Sequence, residues 1–150
     1  MKRLIGLLLT AILLAGCMSG GGPYSTPTLE VHSVLDKLEV MLITQDLSEF
    51  DSIFNPVRVD GSGDRVSRDT LREGFIYLFS ECDIMDYSIA RERFTFNTSN
   101  TVVAVSVTEY LTAKIKGSQD IESDWVEGVY RLSKDSSGKW LITQSANWFL

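Results

Sequence analysis

The chain has 150 residues, of which 44% are hydrophobic, and a net charge of −6 at neutral pH. This length and apolar content are enough for one domain with its own hydrophobic core. An acidic domain has no electrostatic attraction to nucleic acid or to anionic lipid headgroups, so the composition argues against both as direct partners.

The first sixteen residues have the pattern of an export signal. Lys2 and Arg3 precede an apolar run, residues 4–14, that is too short to span a bilayer stably. The run ends in Leu-Ala-Gly-Cys, in which small residues fit a peptidase groove and the thiol of Cys17 can accept a diacylglyceryl group. The segment resembles the lipobox of bacterial lipoproteins; an ordinary secretory signal followed by an incidental cysteine is the alternative.

The lipobox resemblance implies a chain that begins at Cys17 and is anchored by lipid. Its domain would face the extracytoplasmic side of the cell membrane or outer membrane. Removal of residues 1–16 leaves twelve basic and twenty acidic residues, a net charge of −8. Residues 17–28 are rich in Gly, Ser and Pro and predict a flexible tether. Attachment to the membrane would therefore depend on the acyl chains.

Cys82 is the one cysteine that remains after lipidation of Cys17. An internal disulfide is therefore excluded, and the core alone must stabilise the domain. Cys82 falls on the apolar stripe of a predicted helix, where a free cysteine behaves as a small hydrophobic residue.

Three helices are predicted in the first half of the domain. The first has apolar residues at helical spacing, namely Val31, Val34, Leu35, Leu38, Met41 and Leu42. The second is short, with Asp46 as its N-cap and Asn55-Pro56 after its end. Residues 57–66 alternate around glycine turns and predict a small hairpin or an ordered loop. Ser67 is the predicted N-cap of the third helix, which carries the stripe Leu71, Phe75, Leu78 and Cys82.

The second half of the domain has the period of strands. Residues 87–97 and 101–116 flank a short polar break and predict a long antiparallel hairpin. Residues 125–132 and 140–148 predict a second hairpin. Alternation within residues 103–115 predicts one buried face and one wet face. The fold class is therefore α+β, with three N-terminal helices packed on a curved antiparallel sheet.

Two short stretches in the second hairpin resemble a known family. Residues 128–132 (GVYRL) and 138–142 (GKWLI), together with the three amphipathic helices, resemble the NTF2-like (SnoaL-like, cystatin-like) α+β cone. The resemblance covers residues 29–150 and implies that Trp140 and Ile142 face the core. The family includes isomerases, dehydratases, epoxide hydrolases, transport adaptors and binding modules, so the fold does not select an activity.

The sequence offers little support for catalysis. Isomerases of this family have an inward tyrosine on the first helix and a base aspartate just after the second. This chain has no tyrosine in the first helix and has Asn55 at the matching position. His32, the single histidine, is predicted to face solvent or to be packed. No Cys, His and Asp cluster has metal-ligand spacing, and no cofactor is expected.

One acidic residue, Glu109, interrupts the inward row of the first long hairpin. A one-residue bulge between Ala90 and Arg93 would place Tyr87 opposite Glu109 and would bury more apolar area than straight pairing. This register predicts a ligand pocket on the concave face formed by Tyr87 and Glu109, with Arg91 as the neutralising cation. The alternative is a Glu109 that reaches water at the mouth of the cone or is turned outward.

Two classes of function are expected. In the first, which we prefer, the domain is a non-catalytic envelope module. It would bind a small apolar ligand in its cone, or a protein on its open sheet face, including a second copy of itself. In the second, it is an isomerase or hydrolase with Glu109 or Asp86 as its base. In both classes the membrane is a further predicted partner of the protein, through the N-terminal lipid.

Overall fold

The computed structural model describes residues 25–60 and 63–145. The predicted export signal, Cys17 and most of the tether lie outside the described residues, and so does the predicted end of the last strand at Trp148. The helices and strands are α1 (Thr26–Thr44), α2 (Phe50–Ile53), β1 (Phe54–Val59), β2 (Arg65–Ser67), α3 (Arg68–Glu81), β3 (Cys82–Phe96), β4 (Val102–Ile115), β5 (Ile121–Lys134) and β6 (Trp140–Gln144).

The strands form a 6-stranded sheet in the order β2-β1-β6-β5-β4-β3. Strands β3 to β6 make the predicted antiparallel meander. Strand β1 pairs with β6 in parallel. The sheet is therefore mixed, whereas the prediction was an antiparallel sheet. The parallel pairing is possible because α3 and the meander provide the long connection that parallel neighbours need. Strand β1 also pairs with β2, so the described residues of the range 57–66 form the predicted hairpin and not the alternative, an ordered loop.

Helix α1 covers the concave face of the sheet. Its buried residues include the whole predicted stripe, namely Val31, Val34, Leu35, Leu38, Met41 and Leu42. It begins at Thr26 with Pro27 in its first turn, where a missing N–H costs no helical hydrogen bond. The last three residues of the predicted tether are therefore helical.

The two other helices differ in how well their starts were predicted. Asp46 is not the N-cap of α2, which is one turn long and begins after Glu49. Asp46 instead accepts a hydrogen bond from the backbone N–H of Ser48 at 2.9 Å, which stabilises the preceding turn. Ser67 caps α3 as predicted and accepts from the backbone N–H of Thr70 at 3.1 Å. Cys82 is half-buried and begins β3, one residue after the helix.

The side chain of Asn97 closes the loop between β3 and β4. The side chain of Asn97 accepts hydrogen bonds from the backbone N–H groups of Thr101 (2.8 Å) and Val102 (3.0 Å). These bonds hold Asn97 against the start of β4, so that Phe96 pairs with Val103. The resulting register differs by two residues from the predicted one.

A β-bulge interrupts β3 between Arg91 and Arg93, within the span where it was predicted. Beyond it, Tyr87 pairs with Leu111 and not with Glu109 as predicted. Side chains on a strand alternate with a period of two, so a two-residue shift leaves every side chain on its predicted face. Tyr87 and Glu109 are therefore diagonal neighbours on the concave face.

The core lies between the helices and the concave face of the sheet. Trp140 and Ile142 are buried in it, as the family resemblance implies. The indole N–H of Trp140 donates to Glu30 Oε2 on α1 at 2.9 Å, and its ring packs edge-on against Phe96 at 6.0 Å. Trp140 thus joins the last strand to the first helix.

Replacing Trp140 with Ala should lower the free energy of unfolding by about 3–5 kcal/mol, because a large buried aromatic side chain is lost. Urea unfolding followed by circular dichroism measures this change. Trp125→Ala is the matched control, since Trp125 is 59% exposed and its removal should change stability by less than about 0.5 kcal/mol. Similar losses in both variants would contradict the placement of Trp140 in the core.

Candidate functional site

A carboxylate and two tyrosine hydroxyls meet inside the sheet's concavity. Glu109 is 0% exposed, and Tyr87 and Tyr130 are also buried. The hydroxyl of Tyr87 donates to Glu109 Oε1 at 2.6 Å, and the hydroxyl of Tyr130 donates to the same oxygen. The predicted pair of Tyr87 and Glu109 is therefore brought together, with a third member that the sequence did not indicate. Donors of this kind are what a buried carboxylate requires.

Three adjacent strands supply the three side chains of this cluster. Tyr130 on β5 pairs with Val105, whereas Glu109 pairs with Val126 four residues along the strand. The Tyr130 side chain must therefore lean along the sheet to reach Glu109, across the position of Gly128. Gly128, which pairs with Val107, lies between these two positions on β5.

Both tyrosines act as neutral donors. Burial raises the pKa of Tyr87 and of Tyr130 well above the usual value, and the neighbouring Glu109 raises both further. The hydroxyls therefore keep their protons at neutral pH and remain available to donate.

Arg58 on β1 is another buried polar side chain, and its charge acts on Tyr130. It is 1% exposed, and its Nη1 donates to the hydroxyl of Ser145, just after β6. Burial lowers the pKa of Arg58, while nearby Asp60 and Tyr130 act in the opposite direction. A guanidinium nonetheless remains charged under ordinary conditions. Arg58 was not predicted as a site residue, because residues 57–66 were compatible with a small hairpin or an ordered loop, and in a loop the inward position of residue 58 cannot be inferred.

Arg91 does not neutralise Glu109, contrary to the prediction. Its guanidinium pairs with two carboxylates on α1, at 2.8 Å from Asp36 Oδ1 and 3.2 Å from Glu39 Oε2. It also lies 3.3 Å from the Nδ1 atom of His32. These acids lie on the helix that packs against the bulge, and they hold Arg91 at the edge of the sheet.

His32 and Asp86 lie outside the polar cluster. The ring of His32 packs on Phe94 at a centroid distance of 4.8 Å. Burial and, secondarily, Arg91 lower the pKa of His32, which favours a neutral imidazole. Asp86 pairs with Thr112 on the convex face and is exposed, because it precedes the inward Tyr87 in an extended strand. Asp86 therefore cannot serve as a base inside the cone.

Other features of the described residues lie away from the cluster. One cavity of about 340 Å³ lies beside α1 and the turn before α2, with Val40 and Met41 in its lining, and does not include Glu109. No group of three or more potential metal-binding side chains occurs within residues 25–60 and 63–145. In the same ranges, none of the helices has the length and apolar character needed to cross a membrane.

The convex face of β4 and β5 exposes aromatic side chains. Tyr110 and Trp125 are direct neighbours across the two strands and are 49% and 59% exposed. Val129, further along β5 on the same face, is 42% exposed. This is the open sheet face through which a homodimer was predicted, and that homodimer stays a prediction.

The chain is similar to known proteins in structure but not in sequence. No protein-family model matches the sequence, and no curated protein matches it significantly. A conserved protein from Planctomyces limnophilus is similar, with a TM-score of 0.69 and 10% identity over 79% of this chain and 92% of that chain. An NTF2-like superfamily protein from Salmonella enterica has a TM-score of 0.64 and 9% identity over 82% of this chain and 92% of that chain.

Enzymes also occur among the similar structures. An LEH-like epoxide hydrolase from M. tuberculosis has a TM-score of 0.51 and 13% identity over 81% of this chain and 79% of that chain. Together with the element order, these likenesses show that the chain has the NTF2-like α+β fold. At these identities the likeness concerns the fold and carries no activity with it.

Replacing Tyr87 with Phe should lower the free energy of unfolding by about 1.5–3 kcal/mol, because a hydrogen bond to a buried carboxylate is lost. Tyr110→Phe is the matched control, since its hydroxyl lies on the exposed convex face, and it should change stability by less than about 0.5 kcal/mol. The effect of Tyr87→Phe should shrink in a Glu109→Gln background, as measured by a double-mutant cycle in urea. Equal effects in both backgrounds would show that the two groups are not coupled.

Proposed function

We propose that this protein is a lipid-anchored envelope protein whose NTF2-like domain binds a small ligand in its cone without catalysing a reaction. The observation that supports the ligand site is the cluster of Glu109, Tyr87 and Tyr130 within an apolar core. A buried charged cluster is no more stabilising than apolar residues of the same volume. Apolar walls with a few fixed polar groups are, however, the usual composition of a small-molecule site.

The arrangement around Glu109 suits recognition better than proton transfer. A general base needs an acceptor atom that can reach the proton of a bound substrate. The Oε1 atom of Glu109 already accepts hydrogen bonds from two hydroxyls, so it is not available to take a proton from a substrate. A donor-bearing ligand could be oriented by this fixed array of acceptors and hydroxyls. The alternative function, an isomerase or hydrolase, would have to use Glu109 as its base, because Asp86 is on the convex face.

The proposed anchor rests on the sequence of residues 1–17 and on the acidic character of the remaining chain. If lipid is attached at Cys17 and α1 begins at Thr26, the tether is short. A flexible Gly/Ser-rich segment of this length spans about 17 Å on average. The domain would therefore remain close to the membrane surface, with its contact to the bilayer made by the acyl chains.

Cys17→Ser should abolish membrane anchoring, since no other group in the lipobox can accept the diacylglyceryl moiety. Detergent-phase partitioning of the expressed wild type and variant measures this loss. Cys82→Ser is the matched control and should partition as the wild type does. A Cys17→Ser protein that has lost its signal and still enters the detergent phase would contradict the lipoprotein proposal.

The ligand site can be tested with benzamide, a small neutral aromatic molecule whose amide N–H groups can donate to a carboxylate. Titration followed by NMR should give saturable binding, and Glu109→Gln should change the affinity at least fivefold while the protein stays folded. Asp86→Asn removes an exposed carboxylate on the other face and should leave binding unchanged.

The enzymatic alternative predicts a different result from the same pair of variants. If styrene oxide were hydrated by the wild type and Glu109→Gln abolished turnover while Asp86→Asn did not, the non-catalytic proposal would fail. Absence of saturable benzamide binding in the wild type would count against a ligand site at Glu109.

A further inference from the structure

Arg58 presents a buried cation whose hydrogen-bonding capacity is largely unused. Its side chain is 1% exposed, and Nη1 donates to the hydroxyl of Ser145. The Nε and Nη2 atoms are fully buried and have no hydrogen-bond acceptor. No ion pair to Arg58 occurs within the described ranges, where Arg68, Arg72 and Arg91 all have carboxylate partners.

The two remaining groups lie on one edge of the guanidinium. Nε–H and the outer N–H of Nη2 are parallel donors in a planar fork, which matches the two oxygens of a carboxylate. Ser145 is bonded at Nη1, so it fixes the guanidinium without blocking this fork. The side chain is thereby oriented in advance, which reduces the entropy lost when an anion binds.

The charged groups around Arg58 do not accept hydrogen bonds from its Nε and Nη2 atoms. Asp60 acts on Arg58 through its field, but its Oδ1 accepts from the backbone N–H of Asp64 at 2.9 Å. Tyr130 interacts electrostatically with Arg58, and its hydroxyl donates a hydrogen bond to Glu109. Glu109 thus accepts from the tyrosine hydroxyls, and it is not an acceptor for Nε or Nη2 of Arg58.

We propose that the Nε–Nη2 edge of Arg58 is a carboxylate subsite, so that the ligand of the cone is a small organic acid. This inference rests on the proposed function and specifies the chemical class of its ligand. An anion at this edge would supply the acceptors that a buried guanidinium requires. Glu109 and the tyrosines would then contact a polar group elsewhere on the same ligand.

The test compares benzoate with benzamide, which share a ring and nearly the same shape but differ in charge. Wild-type protein should bind benzoate at least tenfold more tightly than benzamide in NMR titrations at neutral pH and constant ionic strength. Arg58→Lys keeps the positive charge and loses the planar fork, so the preference should fall to less than about threefold. Arg93→Lys, an exposed arginine on the convex face, is the matched control and should retain the preference.

A measurement on the wild type keeps the proposal testable if Arg58→Lys does not fold. Benzoate should shift the Nε–H resonance of Arg58 in ¹⁵N spectra, while benzamide should leave it in place. Equal affinities for benzoate and benzamide, or an unshifted Arg58 resonance, would overturn the carboxylate subsite and leave the ligand-binding cone intact. Binding of neither compound would contradict both the subsite and the proposed function.

Discussion

A carboxylate buried among apolar side chains needs hydrogen-bond donors close to it. Because Glu109 lies on β4 and its donors lie on β3 and β5, this need constrains how the three strands pair. Its two hydroxyl donors come from β3 on one side and β5 on the other. A slip of one residue in either pairing would turn a tyrosine to the convex face and leave the carboxylate short of a donor. The cluster thus specifies the register of the meander, beyond any direct contribution to stability.

The sequence predicted the faces of the sheet better than its pairings. Alternation placed Tyr87 and Glu109 on the concave face, and this survived a two-residue error in register because the error preserves the period of two. The error itself arose at Asn97, whose side chain accepts hydrogen bonds from the start of β4 and so determines where the hairpin turns. Side-chain bonds of this kind depend on local geometry, and a turn-like composition alone does not predict them.

Contacts between residues far apart in the chain could not be predicted from the sequence either. Arg58 becomes an inward residue only when β1 pairs with β6, and this parallel pairing joins segments more than eighty residues apart. Arg91 illustrates the same difficulty, because its carboxylate partners lie on α1 and not on the neighbouring strand. The two arginines therefore differ in their surroundings: Arg91 pairs with helix carboxylates, whereas Arg58 donates to the hydroxyl of Ser145.

The contact between α1 and β3 also affects whether another chain can pair with the edge of the sheet. Strand β3 lies at the edge of the sheet, where unpaired backbone groups can template the addition of a foreign strand. The backbone N–H of Ile89 donates to Glu39 Oε1 at 2.7 Å. The bulge between Arg91 and Arg93 also interrupts the regular spacing of backbone hydrogen-bonding groups along β3. A helix carboxylate thus occupies a position that an incoming strand would need. A strand added at this position would have to displace that carboxylate, which disfavours edge-to-edge association of folded copies.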